Sequence, residues 1–112
     1  MNASQDIYPG QILPEEFLKP FGIRAYELPK DLRIPQTRVS LILKGKRRVT
    51  ADTALRLSEY FGTSTQFWSG LQNDFDIEEE KIRLGKDLMF IPRIIARILV
   101  LLALYKFLDF YA

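Results

Sequence analysis

The chain has 112 residues, 47% hydrophobic and 27% charged, with 16 Lys and Arg against 14 Asp and Glu, a composition that suits one globular domain and no collagen-like or disordered one. It contains no Cys and no His, which excludes disulfides, thiolate nucleophiles, Cys/His zinc sites and Ser-His-Asp triads. The acids Glu15-Glu16 and Glu78-Glu79-Glu80 are sequence neighbours that do not face one another on a helix as a catalytic carboxylate pair must, so no enzyme, metal or cofactor is expected.

Residues 1–8 show no periodicity and are expected to form a loose arm. They carry no basic stretch followed by an apolar one, so no secretory signal is expected and a cytoplasmic protein is. From Gln11, the apolar residues Ile12, Leu13, Phe17 and Leu18 fall near helical spacing, between Pro9-Gly10 and Pro20-Gly22, and predict a short first helix. Ala25, Leu28 and Leu32 predict a second, starting near Arg24 or Ala25, with Pro29 at the edge of the first turn that tolerates it. Ile34-Pro35 makes a turn, and Gln36 to Lys44 forms a third helix, ended by Gly45 in the left-handed position. Thr50 is placed to cap a fourth helix carrying Ala54, Leu55, Leu57, Tyr60 and Phe61, closed by Gly62. Ser64 or Thr65 then opens a fifth, holding Phe67, Trp68, Leu71, Phe75 and Ile77. No segment alternates with a period of two, so the fold class is all-α.

Charge is unevenly distributed along this frame. Arg33, Arg38, Lys44, Lys46, Arg47, Arg48 and Arg56 meet one acid, Asp52, whereas Asp74, Asp76 and Glu78 to Glu80 run without a cation until Lys81. A basic region beside an acidic one suits a protein that binds a polyanion on one face and another partner elsewhere. In the third helix a rotation of about 100° per residue turns Val39, Ile42 and Leu43 inward and Thr37, Ser40, Leu41 and Lys44 outward, with Gln36 and Arg38 flanking its start. A major groove admits one such helix, and Gln36, Thr37, Arg38 and Ser40 carry chemistry that reads base edges. Lys44 and the following Lys46, Arg47 and Arg48 are placed to reach phosphates, which positions the helix without reading sequence. Leu41 is the exception on this face: either it meets a thymine methyl, or it is docked under another part of the chain.

The segments Tyr8-Pro9-Gly10-Gln11-Ile12-Leu13, Ile34-Pro35-Gln36-Thr37-Arg38-Val39, Gly45-Lys46-Arg47, Thr50-Ala51-Asp52-Thr53-Ala54-Leu55-Arg56-Leu57 and Phe61-Gly62-Thr63-Ser64, with Phe67-Trp68, resemble the HigA-type, or VapI-type, antitoxins of the Xre/Cro-like helix-turn-helix group. The resemblance covers about residues 8 to 85. It implies a five-helix domain that dimerises through its C-terminal part, binds operator DNA at its own promoter and neutralises a HigB-like toxin similar to ribosome-dependent mRNA endonucleases. It puts the recognition helix at Gln36 to Lys44. The sequence departs from the family pattern at Arg24, usually Ser or Thr; at Pro29, usually Ala; at Arg33, usually Gly; and at Leu41, usually polar. Arg24 loses a good helix cap and gains a charge that can meet a phosphate.

Residues 86–112 extend beyond this pattern as an apolar tail. A spanning helix needs about 20 mainly apolar residues, whereas the uninterrupted run here lies between Arg97 and Lys106. The expectation is therefore a sixth helix packed at a homodimer interface, without a membrane. Residues 1–85 are expected to form the DNA-binding domain. The competing functional reading is a protein-interaction module that holds a partner through the acidic segment and the tail, with little DNA binding.

Overall fold

Residues 7–111 are described by the structure, a computed structural model, so most of the expected N-terminal arm lies outside the described residues. Among them the regular elements are helical: α1 over residues 9–21, α2 at Glu27–Leu32, α3 at Gln36–Leu43, α4 at Ala51–Phe61, α5 at Thr65–Leu84 and α6 at Ile94–Tyr111. A 3₁₀ stretch, Gly85–Phe90, lies between α5 and α6. The chain is all-α, as its periodicity predicts. It divides into two compact units, Met1–Ile82 and Arg83–Ala112.

Three local features differ from the sequence expectations. The first helix is longer than its apolar spacing suggests, and its middle, Leu13–Leu18, is π-helical. Pro14 has no N–H to give the carbonyl one turn back, and its ring would strike that carbonyl; the wider spacing relieves both problems. The second helix starts at Glu27 rather than at Arg24 or Ala25, which puts Pro29 within the first turn, where a backbone N–H has no intrahelical acceptor. The chain before it is closed reciprocally: the Arg24 N–H donates to Glu27 Oε1 at 2.8 Å, and the Glu27 N–H to the Arg24 carbonyl at 2.9 Å. Thr50 precedes α4 in extended conformation but makes no side-chain capping bond; its hydroxyl lies 3.5 Å from that of Thr53. Ser64, by contrast, accepts the Phe67 N–H at 3.1 Å and caps α5.

In the unit Met1–Ile82, Leu13 and Leu18 of α1, Leu28 and Leu32 of α2, Val39 and Ile42 of α3, Ala54 and Leu57 of α4 and Trp68 of α5 form one buried cluster. Each fully buried large side chain contributes about 1.5–3 kcal/mol of hydrophobic stabilisation. Trp68 is wholly buried, and its indole N–H donates to Thr63 Oγ1 at 2.7 Å, so its one polar group is satisfied. Phe17 lies against both Trp68 and Phe61, at ring distances of 4.8 and 4.9 Å.

Gly10 explains the Pro-Gly start of α1. A Cβ added there would lie 1.9 Å from the Ile42 carbonyl oxygen, so only glycine lets α1 approach the C-terminal end of α3 this closely. Tyr8 completes the contact, with its hydroxyl donating to the Leu43 carbonyl at 3.3 Å and its ring over Gly45, which has φ of +74°. The last turn of α3 is thereby fixed from one side by residues 8–10.

Candidate nucleic-acid interface

The inward face of α3 is set by Val39 and Ile42, which are buried, and by the half-buried Leu43. On the other side Gln36, Thr37, Leu41 and Lys44 are exposed and Ser40 is half-buried. Gln36, Thr37, Ser40 and Leu41 line one shallow surface depression. Gln36, Ser40 and Lys44 also border a groove of about 440 Å³, walled on its other side by Ala25, Tyr26 and Pro29. Three of the four predicted base readers, Gln36, Thr37 and Ser40, are thus brought together.

Arg38 is not with them. Its Nη1 donates to Asp52 Oδ1 at 2.9 Å, its side chain is 22% exposed, and its Nε is buried without a partner. Asp52 also receives Arg56 Nε at 2.7 Å, and Arg56 Nη1 donates onward to the Leu32 carbonyl at 2.8 Å. One chain of charge-assisted bonds therefore joins the end of α2, the start of α4 and the start of α3. The Arg56 hydrogen bond lowers the Asp52 pKa against an opposing effect of desolvation, and the Arg38 bond lowers it further.

The predicted phosphate residues divide in the same way. Lys44, Lys46, Arg47 and Arg24 are exposed, and Arg24 has a long contact of 3.4 Å to the Tyr26 hydroxyl. Arg48 is paired with the Asp76 carboxylate of α5. Burial pushes the Asp76 pKa up, but hydrogen bonds from Gln72 and Arg48 outweigh it, and the net direction is down.

Gln72 is the residue that the sequence reading missed. It is buried; its Oε1 accepts the Val49 N–H at 2.7 Å and its Nε2 donates to Asp76 Oδ1 at 2.9 Å. Gln72 and Asp76 stand one helical turn apart on α5 and together hold the basic loop after α3. The available signal was a lone amide four residues before an acid, which is indistinguishable in sequence from a solvated face.

A helix-turn-helix family model matches residues 15–68. Virulence-associated protein I of Dichelobacter nodosus is 44% identical over 77 residues, which are 69% of this chain and 71% of that protein. An addiction module antidote protein of the HigA family from Coxiella burnetii has a similar structure, with a TM-score of 0.73 and 43% identity over 79% of this chain and 96% of that one. So does the Pseudomonas aeruginosa antitoxin HigA solved with the higBA promoter, with a TM-score of 0.73 and 35% identity over the same shares. Buried hydrophobic and exposed polar sides of α3, a basic loop after it and these relatives agree: the chain belongs to the HigA/VapI-type antitoxin family of Xre-like helix-turn-helix proteins, which are non-enzymatic.

Proposed function

We propose that this protein is a homodimeric operator-binding repressor of its own operon, acting in the cytoplasm through residues 1–85, and the antitoxin of a HigB-like mRNA endonuclease. The observation that carries the DNA-binding part is the division of α3: its core side is buried, while Gln36, Thr37 and Ser40 stand together on the other side next to the exposed Lys44, Lys46 and Arg47. Short polar side chains on a helix of this kind match base edges in the major groove, and the cations match phosphates. The P. aeruginosa relative solved with a promoter supports the same use of the fold. The antitoxin part rests on family membership. The competing protein-interaction reading is weakened by Asp76, whose carboxylate is turned back onto Arg48 rather than offered to a partner.

The test is retention of a labelled DNA fragment from upstream of the coding region, against a scrambled control, at two salt concentrations, with a HigB-like toxin co-expressed in a parallel arm. Preferential, salt-sensitive retention and co-purification of the toxin are the expected results. Equal retention of both DNAs defeats the repressor reading. Failure of the toxin to co-purify defeats the antitoxin reading.

A further inference from the structure

Every large apolar side chain of α6 is exposed, from 43% at Ile98 to 80% at Phe110. The distribution around the axis matters more than the total. At about 100° per residue, Lys106 stands on the opposite side of the helix from Arg97, and Asp109 lies about 120° from Arg97. No polar stripe is left for water. A helix in a two-fold pair buries one apolar stripe and keeps a polar one, so a single second copy leaves the far side of α6 bare.

A lipid bilayer is apolar on all sides of an inserted helix. The 18 residues of α6 extend about 27 Å, against a hydrocarbon thickness of about 30 Å. Arg97 lies one turn from the start of α6 and Lys106 in its last third, each able to extend its amphipathic stem toward the nearer water boundary. Tyr111, at the C-terminal end of α6, is of the type enriched at membrane interfaces. Lys86 and Arg93 precede α6 and suit the anionic cytoplasmic leaflet. The helical stretch that ends at Tyr111 is long and apolar enough to cross a membrane, and the apolar 18-residue segment that makes it so has no buried residue.

We propose that α6 is a membrane-embedded anchor with its N-terminal end on the cytoplasmic side, in place of the soluble dimer packing expected from the sequence. The proposal is independent of the operator reading. The test is flotation of the full chain with vesicles of phosphatidylcholine and phosphatidylglycerol, followed by a high-salt and alkaline carbonate wash. Co-flotation that survives the wash is expected, and Leu101→Lys should lower the bound-to-free ratio about 100-fold. The Leu101→Lys chain should keep the thermal transition and DNA affinity of the parent, which separates lost insertion from lost folding. A full chain that stays in solution as an oligomer, or that salt strips from the vesicles, overturns the proposal.

A different observation bears on Leu41. It is 37% exposed and shares its surface depression with Gln36, Thr37 and Ser40, so the alternative that it is docked under the chain is not what the structure shows. A leucine among base-reading positions needs an apolar counterpart, and in the major groove that group is the thymine C5-methyl. We infer that Leu41 is a specificity residue selecting thymine, an inference that rests on the operator reading. Deoxyuridine keeps thymine's hydrogen-bonding pattern and lacks the methyl. Replacing one operator thymine by uracil should weaken the parent about three- to fivefold, the effect of one methyl contact, and leave Leu41→Ala unchanged. Operator discrimination with no uracil-sensitive position overturns the role of Leu41 alone. Loss of discrimination altogether overturns the operator reading.

Discussion

Arg38 shows how one side chain can satisfy a chemical pattern and yet occupy a different place. An arginine at the start of a recognition helix suits guanine, but a further rotation of about 100° beyond Thr37 turns Arg38 toward α4, where Asp52 holds it. That turn was legible in the helical period, whereas the partner was not, because Asp52 lies 14 residues away. Arg38→Ala is accordingly expected to destabilise the fold by about 1 kcal/mol and to weaken operator and scrambled DNA alike. Thermal unfolding with binding to both DNAs checks this, and a selective loss of operator preference would restore Arg38 to the base-reading set. The two lowered carboxyls set the pH dependence. Asp52 and Asp76 are held below their ordinary pKa, so their stabilisation is fully present above about pH 4 and is lost as pH falls through the lower folded values. Urea unfolding from pH 7 to 3 should show little change attributable to these groups down to about pH 5 and a fall below about pH 4 that is smaller in Asp52→Asn.

At the scale of elements, the order and type of the helices followed from apolar spacing, glycine stops and the Ile34-Pro35 turn. The ends and irregularities did not. The π-helical middle of α1 depends on how Pro14 is accommodated, and the late start of α2 depends on the Arg24–Glu27 turn; both are outcomes of competing local bonds that a hydrophobic pattern does not record. Close backbone approach is equally silent in sequence. Gly10→Ala should destabilise the unit by about 1–3 kcal/mol or more, since a methyl meets the Ile42 backbone rather than a side chain free to move. Denaturant titration measures it, and a change below about 0.5 kcal/mol would show that α1 can shift without loss. Gln72→Leu is expected to cost about 1–3 kcal/mol by stranding the buried Val49 N–H. It should also raise hydrogen-exchange rates in residues 45–49, which loss of core volume elsewhere would leave unchanged.

Over the whole molecule, charge rather than shape was the readable property. The basic stretch from Arg33 to Arg56 and the acids of residues 74–80 are separate runs in the sequence. In the structure they meet at Arg48 and Asp76, so part of the asymmetry is neutralised internally. Of the exposed cations on the helix-turn-helix unit, those expected at phosphates and not held by Asp76, namely Arg24, Lys44, Lys46 and Arg47, set the expected salt response. If a dimer uses three or four from each protomer, the slope of log affinity against log salt should be about −5 to −7. A slope near −2, measured across several salt concentrations, would mean that most of these residues miss the phosphates.

The outward side chains of α3 take no part in the buried cluster, while the bonds that hold the helix and the loop after it run through Tyr8, Arg38, Arg56 and Gln72. Exposed substitutions away from such bonds usually change stability by no more than about 0.5 kcal/mol. On the proposed operator reading, readout is therefore uncoupled from architecture, and Gln36, Thr37, Ser40 and Leu41 are expected to be exchangeable as a short alphabet on a constant frame. Duplicated copies of such a gene can diverge to separate promoters by a few substitutions, and several systems of this kind can be insulated from one another within a single genome.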